Sequence, residues 1–157
     1  ASTAEETPSS PEGLGRGLRI LVLDDDAMVR QIVGEMLRFE GCEVTFAREG
    51  GEAVEAVRRG RDEGVSFDLV LLDLSLPRGP DGLEVLGEVR RIDPGVHAVV
   101  SSSKPNNPVV RDHRKHGFFG KLDKPFSLHD VVVLLGRINA GKRQRMARNS
   151  ASGDDSG

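Results

Sequence analysis

Four short apolar runs in this sequence each end in residues able to do polar chemistry. "ILVLDDD" ends in Asp24, Asp25 and Asp26, and "DLVLLD" ends in Asp73. "VVSSS" ends in Ser101, Ser102 and Ser103, and "DKPF" carries Lys124 and Pro125. Carboxylates brought together repel and raise one another's pKa unless a cation sits among them. An all-oxygen donor set suits Mg²⁺, which takes one or two carboxylates, a carbonyl and several waters. A hydroxyl and an ammonium beside such a metal could each hold a phosphoryl oxygen. Taken singly, each residue also has a plainer role. Asp24 to Asp26 can be an N-cap and acidic first turn, which the helix dipole favours. Asp73 can be a turn initiator, Ser102 a helix-entry hydroxyl and Lys124 a solvated side chain before a proline. The choice depends on whether the fold gathers them.

The elements that would do the gathering are legible from hydrophobic period. Residues 18–23, 43–47, 68–72, 97–100 and 118–122 are short and apolar or alternating, as strands are. Val29, Ile32, Val33, Met36 and Leu37 repeat at helical spacing before Gly41, a plausible stop. Ala53, Val54 and Val57 repeat more weakly, and Leu83, Leu86, Val89 and Ile92 form a third stripe ended by Asp93-Pro94-Gly95. A polar helix candidate lies between Pro108 and His116. A clearer one starts at Ser127, with Asp130 in its first turn and Leu128, Val131, Val132, Leu135 and Ile138 on one face. Five β-then-α units imply a parallel sheet covered on both sides. The expected fold is flavodoxin-like, a doubly wound (βα)5 sheet in the order 2-1-3-4-5. In that order strands 1 and 3 are neighbours, so Asp24, Asp25 and Asp73 converge at the carboxyl edge where such sheets bind ligands.

Composition narrows the class. The chain has 157 residues, suited to one domain with sequence to spare. A single cysteine, Cys42, excludes an internal disulfide and a Cys-based zinc site, and is expected to be a small buried or half-buried side chain. A formal charge of −3 gives no global pull toward nucleic acid or anionic lipid, and no apolar stretch is long enough to span a bilayer. The expected location is cytoplasmic, with neither nucleic acid nor membrane as partner. Residues 1–17 are expected to be a disordered linker or tail, 18–140 the folded domain, and 141–157 a basic then Ser/Gly/Asp tail. His113 and His116 are three apart, but no third metal ligand is evident; with His97 and His129 they are expected at the surface or half-buried.

The set "ILVLDDD", "DLVLLDLSLPRGPDG", "VVSSS" and "DKPF" resembles, in order and approximate spacing, the receiver domain of two-component response regulators, over roughly Leu18 to Ala140. The run from Val99 to Leu128 further resembles receivers at the C-terminus of hybrid sensor histidine kinases. The resemblance implies that Asp73 accepts a phosphoryl group from a phosphohistidine on a histidine kinase or histidine phosphotransfer domain. It implies Mg²⁺ held by Asp25 directly, by Asp24 mainly through water, by Asp73, and by the backbone carbonyl of Ser75. Lys124, Ser102 and the backbone of Ser103 would bind the phosphoryl group, and the Lys124-Pro125 bond would be cis. Phosphorylation would switch the face of helix 4, strand 5 and helix 5 toward a downstream protein partner. Such a domain is no conventional enzyme, although it catalyses its own phosphorylation and dephosphorylation.

Several positions depart from the family pattern. Arg78-Gly79-Pro80 makes the loop after Asp73 one residue longer. Lys121 stands where the family often has an inward-turning aromatic, and a lysine does not bury there cheaply. Ser103 replaces a common Ala or Gly, and Lys104 follows it. Ser103 and Lys104 bear on the lifetime of the aspartyl phosphate, while Lys121 and the longer loop favour the alternative, a pseudo-receiver scaffold that binds partners without phosphorylation; Asp25, Asp73, Ser102 and Lys124 count against it. A phosphatase using an Asp nucleophile would need a second Asp where Ser75 stands.

Overall fold

The structure is a computed structural model and describes residues 13, 15–76, 81–104 and 106–141. Its strands are β1 (Arg19–Leu23), β2 (Glu43–Ala47), β3 (Leu69–Asp73), β4 (His97–Ser102) and β5 (Gly120–Asp123). Its helices are α1 (Ala27–Phe39), α2 (Gly50–Asp62), α3 (Gly82–Ile92), α4 (Pro108–Arg111) and α5 (residues 128–141). The strands form one parallel sheet in the order β2-β1-β3-β4-β5, the flavodoxin-like arrangement expected from the sequence.

Alternation along the strands splits the core in two. Leu21 and Leu23 of β1, with Val70 and Leu72 of β3, pack toward Ala53 and Val57 of α2 and Val85 and Val89 of α3. Ile20 and Val22, with Leu69 and Leu71, pack toward Val33 and Leu37 of α1 and Val131, Leu135 and Ile138 of α5. Strands buried on both faces carry continuous apolar runs, which is why these segments read as uninterrupted hydrophobics.

Helix ends are set locally. Asp26 caps α1 by accepting from the N–H groups of Met28 and Val29. Asp81 and Glu84 form a reciprocal capping box at α3. Ser127 and Asp130 do the same before α5, where Asp130 N–H donates to Ser127 Oγ and Ser127 N–H to Asp130 Oδ2.

Several boundaries differ from expectation, and β1 and β3 each start one residue later, at Arg19 and Leu69. β4 runs on through Ser101 and Ser102, whose backbone pairs with β3 and β5. β5 begins at Gly120, because Phe118 and Phe119 belong to the turn that enters it. The expected helix from Pro108 to His116 is α-helical only to Arg111; turns follow to Gly117, which takes a positive φ of 96°. At the N-terminal side the chain packs upstream of Leu18: Gly15 is buried, donates to the Glu40 carbonyl at 2.9 Å, and has no room for a Cβ beside Cys42. Gly141 is still helical. Residues 1–12 and 142–157, and the longer loop at Arg78, Gly79 and Pro80, lie outside the described residues.

Candidate functional site

Strand register assembles the site. Leu23 is level with Leu72, so Asp24, one residue on, stands beside Asp73. Asp73 is level with Ser101, and Ser102 with Asp123, which places Lys124 next in line. The Lys124 N–H donates to the Ser102 carbonyl at 2.8 Å, and the Leu74 N–H to the Ser101 carbonyl at 3.1 Å, so the ladder continues past the last strand residues. Four strands thus end at one height, each delivering a polar residue.

Asp24, Asp25 and Asp73 each offer a carboxylate oxygen within 4.8 Å of the others, and no other such group of metal-ligating side chains exists among the described residues. Asp24 and Asp73 are 2% and 4% exposed, whereas Asp25 is open to solvent. Lys124 Nζ lies 2.6 Å from Asp24 Oδ2 and 3.6 Å from Asp73 Oδ2. The other Asp24 oxygen accepts the Asp26 N–H at 2.9 Å, and Asp73 Oδ1 accepts the Ser75 N–H at 3.0 Å.

Burial pushes the Asp73 carboxyl above its ordinary range. The Ser75 N–H and the Lys124 charge pull it back, while the charges of Asp24 and Asp25 push it further up. Burial draws the Lys124 ammonium down, but its hydrogen bond to Asp24 and the charges of Asp73 and Asp24 outweigh that and leave it raised. With every group ionised, three carboxylates and one ammonium carry −2. A hard divalent cation matches that charge and the all-oxygen donors, so these residues suit Mg²⁺.

The remaining expected residues fall as follows. Ser102 is buried at the end of β4, and its Oγ accepts the Lys104 N–H at 2.9 Å. Ser103 is exposed and, with Lys124, borders an apolar groove of about 330 Å³ lined by Val29, Ile32, Met36, Pro125 and Phe126. The Lys124-Pro125 peptide is cis. Lys121 points outward and pairs with Asp123 at 3.8 Å, away from the acidic cluster. None of the histidines joins that cluster: His97 packs edge-on to Phe119, His113 contacts the Val110 carbonyl, and His116 and His129 are exposed. Cys42 is buried, and burial with the charges of Glu40 and Asp68 pushes its thiol up to about 12.

Sequence reasoning missed Arg30. It lies in the opening turns of α1, and its Nη1 donates to the Asp24 carbonyl at 2.7 Å. A signal was available, since a cation near a helix N-terminus opposes the helix dipole and needs another reason to be there.

A family model described as the response regulator receiver domain matches residues 20–135. DNA-binding response regulator MtrA of Mycobacterium leprae is 37% identical over 131 residues, covering 83% of this chain and 52% of MtrA. Sporulation initiation phosphotransferase F of Bacillus subtilis is 27% identical, covering 72% of this chain and 86% of its own. The chain spans about half the length of MtrA and of several other curated relatives it matches. Among solved structures, the receiver domain of the sensor histidine kinase PA1611 from Pseudomonas aeruginosa, with a magnesium ion in its active site cleft, is similar at TM-score 0.68 and 26% identity. That match covers 79% of this chain and 98% of the PA1611 domain. Among the described residues, no helix is long and apolar enough to cross a membrane.

Proposed function

This chain belongs to the response regulator receiver domain family, and from that membership we propose that Asp73 is its phosphoacceptor. The observation that carries the proposal is the convergence of Asp24, Asp25, Asp73 and Lys124 at one sheet edge. The donor is a phosphohistidine. An Asp73 carboxylate oxygen forms the new O–P bond as the N–P bond breaks, and the bonding pair returns to the imidazole nitrogen. Asp25, Asp73 and the Ser75 carbonyl would hold Mg²⁺ directly and Asp24 mainly through water. When bound, the metal supplies positive charge against the transferring phosphoryl group. Lys124 and Ser102 would each donate to a phosphoryl oxygen, with the backbone of Ser103 completing the phosphoryl-binding set.

The partner we infer is a histidine kinase or histidine phosphotransfer domain. Its support is the apolar groove that begins at Lys124 and Ser103 and continues along α1, where Met28 is 69% and Ile32 48% exposed. A donor covering that face brings its histidine to Asp73 and shuts out water. The parent is read as a hybrid sensor kinase, on the character of residues 99–128 and the likeness to the PA1611 receiver. An upstream kinase core in the same reading frame would support that origin, and its absence would remove it.

The test is phosphorylation by acetyl phosphate with Mg²⁺, followed by intact mass. Wild type gains one phosphoryl group, and neither Asp73→Asn nor wild type in chelator does. Undiminished labelling of Asp73→Asn would sink the assignment. Partner binding indifferent to that substitution would instead favour the pseudo-receiver scaffold.

A further inference from the structure

Arg30 stands outside every role assigned above, yet it makes one of the shortest polar contacts near the acidic cluster. Its guanidinium folds back over the start of α1 and donates from Nη1 to the Asp24 carbonyl at 2.7 Å. That oxygen belongs to the peptide joining Asp24 to Asp25.

Asp24 is held from every side. Its N–H donates to the Ala47 carbonyl at 3.1 Å, one carboxylate oxygen accepts from Asp26, and the other accepts from Lys124. Asp25 is different. Its carboxylate is exposed and takes no hydrogen bond from the described residues, so its rotamer is unconstrained and only the backbone sets where its Cα–Cβ bond starts and points. The Arg30 contact fixes the plane of the 24–25 peptide and with it the exit angle of the Asp25 side chain. We propose that Arg30 is a positioning residue for the divalent-metal site, acting through the Asp24–Asp25 peptide to hold Asp25 in a ligating direction.

The inference rests on the Mg²⁺ reading of the cluster, and charge gives it a sharp sign. If Arg30 acted only through its field, removing a cation beside three carboxylates would tighten divalent-metal binding. If it acts as a clamp, removal weakens binding, as losing a group that orients a metal ligand does by on the order of tenfold or more.

The experiment is calorimetric titration of Mg²⁺ into wild type, Arg30→Met, Arg30→Lys and Asp25→Asn, with thermal melts of each in chelator. Arg30→Met should bind about tenfold more weakly while melting within a few degrees of wild type. Arg30→Lys, which keeps one donor and the charge, should recover part of that loss. In acetyl phosphate labelling, the Arg30→Met defect should appear as a raised Mg²⁺ requirement and vanish at saturating metal. Binding by Arg30→Met as tight as wild type, or tighter, overturns the inference and leaves the Mg²⁺ reading intact. No heat from wild type, or unchanged binding by Asp25→Asn, overturns both. If Arg30→Met does not fold, Arg30→Lys decides: equal or tighter binding there overturns the clamp as well.

Discussion

Replacing Asp73 by Asn should make the metal-free protein more stable at neutral pH. Asp73 Oδ2 is 3.6 Å from Lys124 Nζ, an attraction of about 4.6 kcal/mol at an effective dielectric near 20. Asp24 and Asp25 lie within 4.8 Å, so each repels by at least about 3.5 kcal/mol on the same scale. Asp25 is exposed and solvent screens its share, so the excess of repulsion is about 1–2 kcal/mol. The Lys124–Asp24 pair at 2.6 Å survives the substitution, so no ammonium is stranded. The expected gain in Tm is about 3–8 °C for a domain of this size.

The pH dependence has a definite sign. Burial and its acidic neighbours hold the Asp73 pKa above its ordinary value in the folded state. The penalty for ionising it is therefore fully present above the folded pKa, falls as pH drops through that value, and is gone below the unfolded value near ~3.9. Wild type and Asp73→Asn should differ most at neutral pH in chelator and converge in acid. Mg²⁺ should reverse the ranking, since wild type gains about 2.7 kcal/mol when the metal is at a hundred times its Kd, and the Asn variant gains less. The chain has neither Trp nor Tyr, so far-ultraviolet circular dichroism is the suitable probe. An Asn variant no more stable than wild type in chelator at neutral pH, or a gap that persists unchanged in acid, would refute the reasoning.

Two further outcomes follow from burial. Lys124→Met leaves the Asp24 and Asp73 carboxylates, 2% and 4% exposed, without their cation, and urea melts at neutral pH should show a loss of about 3 kcal/mol that Mg²⁺ partly restores. Cys42, 6% exposed with its thiol held near 12, should react with a disulfide reagent only as fast as the domain opens; rapid reaction of the native protein would contradict that packing.

The sheet order and the convergence of Asp24, Asp25 and Asp73 were legible because they follow from strand period and from where each apolar run stops. Strands buried on both faces announce themselves, and a polar residue at the end of each is easy to align once the order is set. α4 was not legible. Pro108 at its start and Asn107 accepting from Val109 promise a helix, but Arg111, Arg114, Lys115 and His116 provide no apolar stripe to hold one against the sheet, and the chain turns instead. Arg30 escaped because its contact is with a backbone carbonyl, which no side-chain pattern encodes. The buried Gly15 escaped because a lone glycine in a polar segment carries no signal that a sulfur will sit against it.

On the proposed function, neither Lys124 nor Ser102 would have to abandon its present partner to donate to a phosphoryl oxygen. Lys124 spends one of its three N–H donors on Asp24 and keeps the others on the side of Asp73, at 3.6 Å. Ser102 accepts from the Lys104 N–H, which leaves the hydroxyl proton free to donate. A larger rotation of Ser102 toward Asp73 would break that one contact and release the Lys104 backbone, and what lies just beyond is a four-residue helix followed by turns. On the β5 side, Lys121 is already outside and paired with Asp123, so it has no buried position to exchange. On the proposed function, a rotation of Ser102 large enough to break its contact with Lys104 would pass motion from Asp73 through Lys104 toward α4, and the substitution that would close this path is Ser102→Ala. That variant should still be phosphorylated at Asp73, because Lys124 and the acidic cluster are intact. Its amide exchange across residues 104–117 should be indifferent to phosphorylation, whereas that of wild type should respond; a response in both would place the path elsewhere.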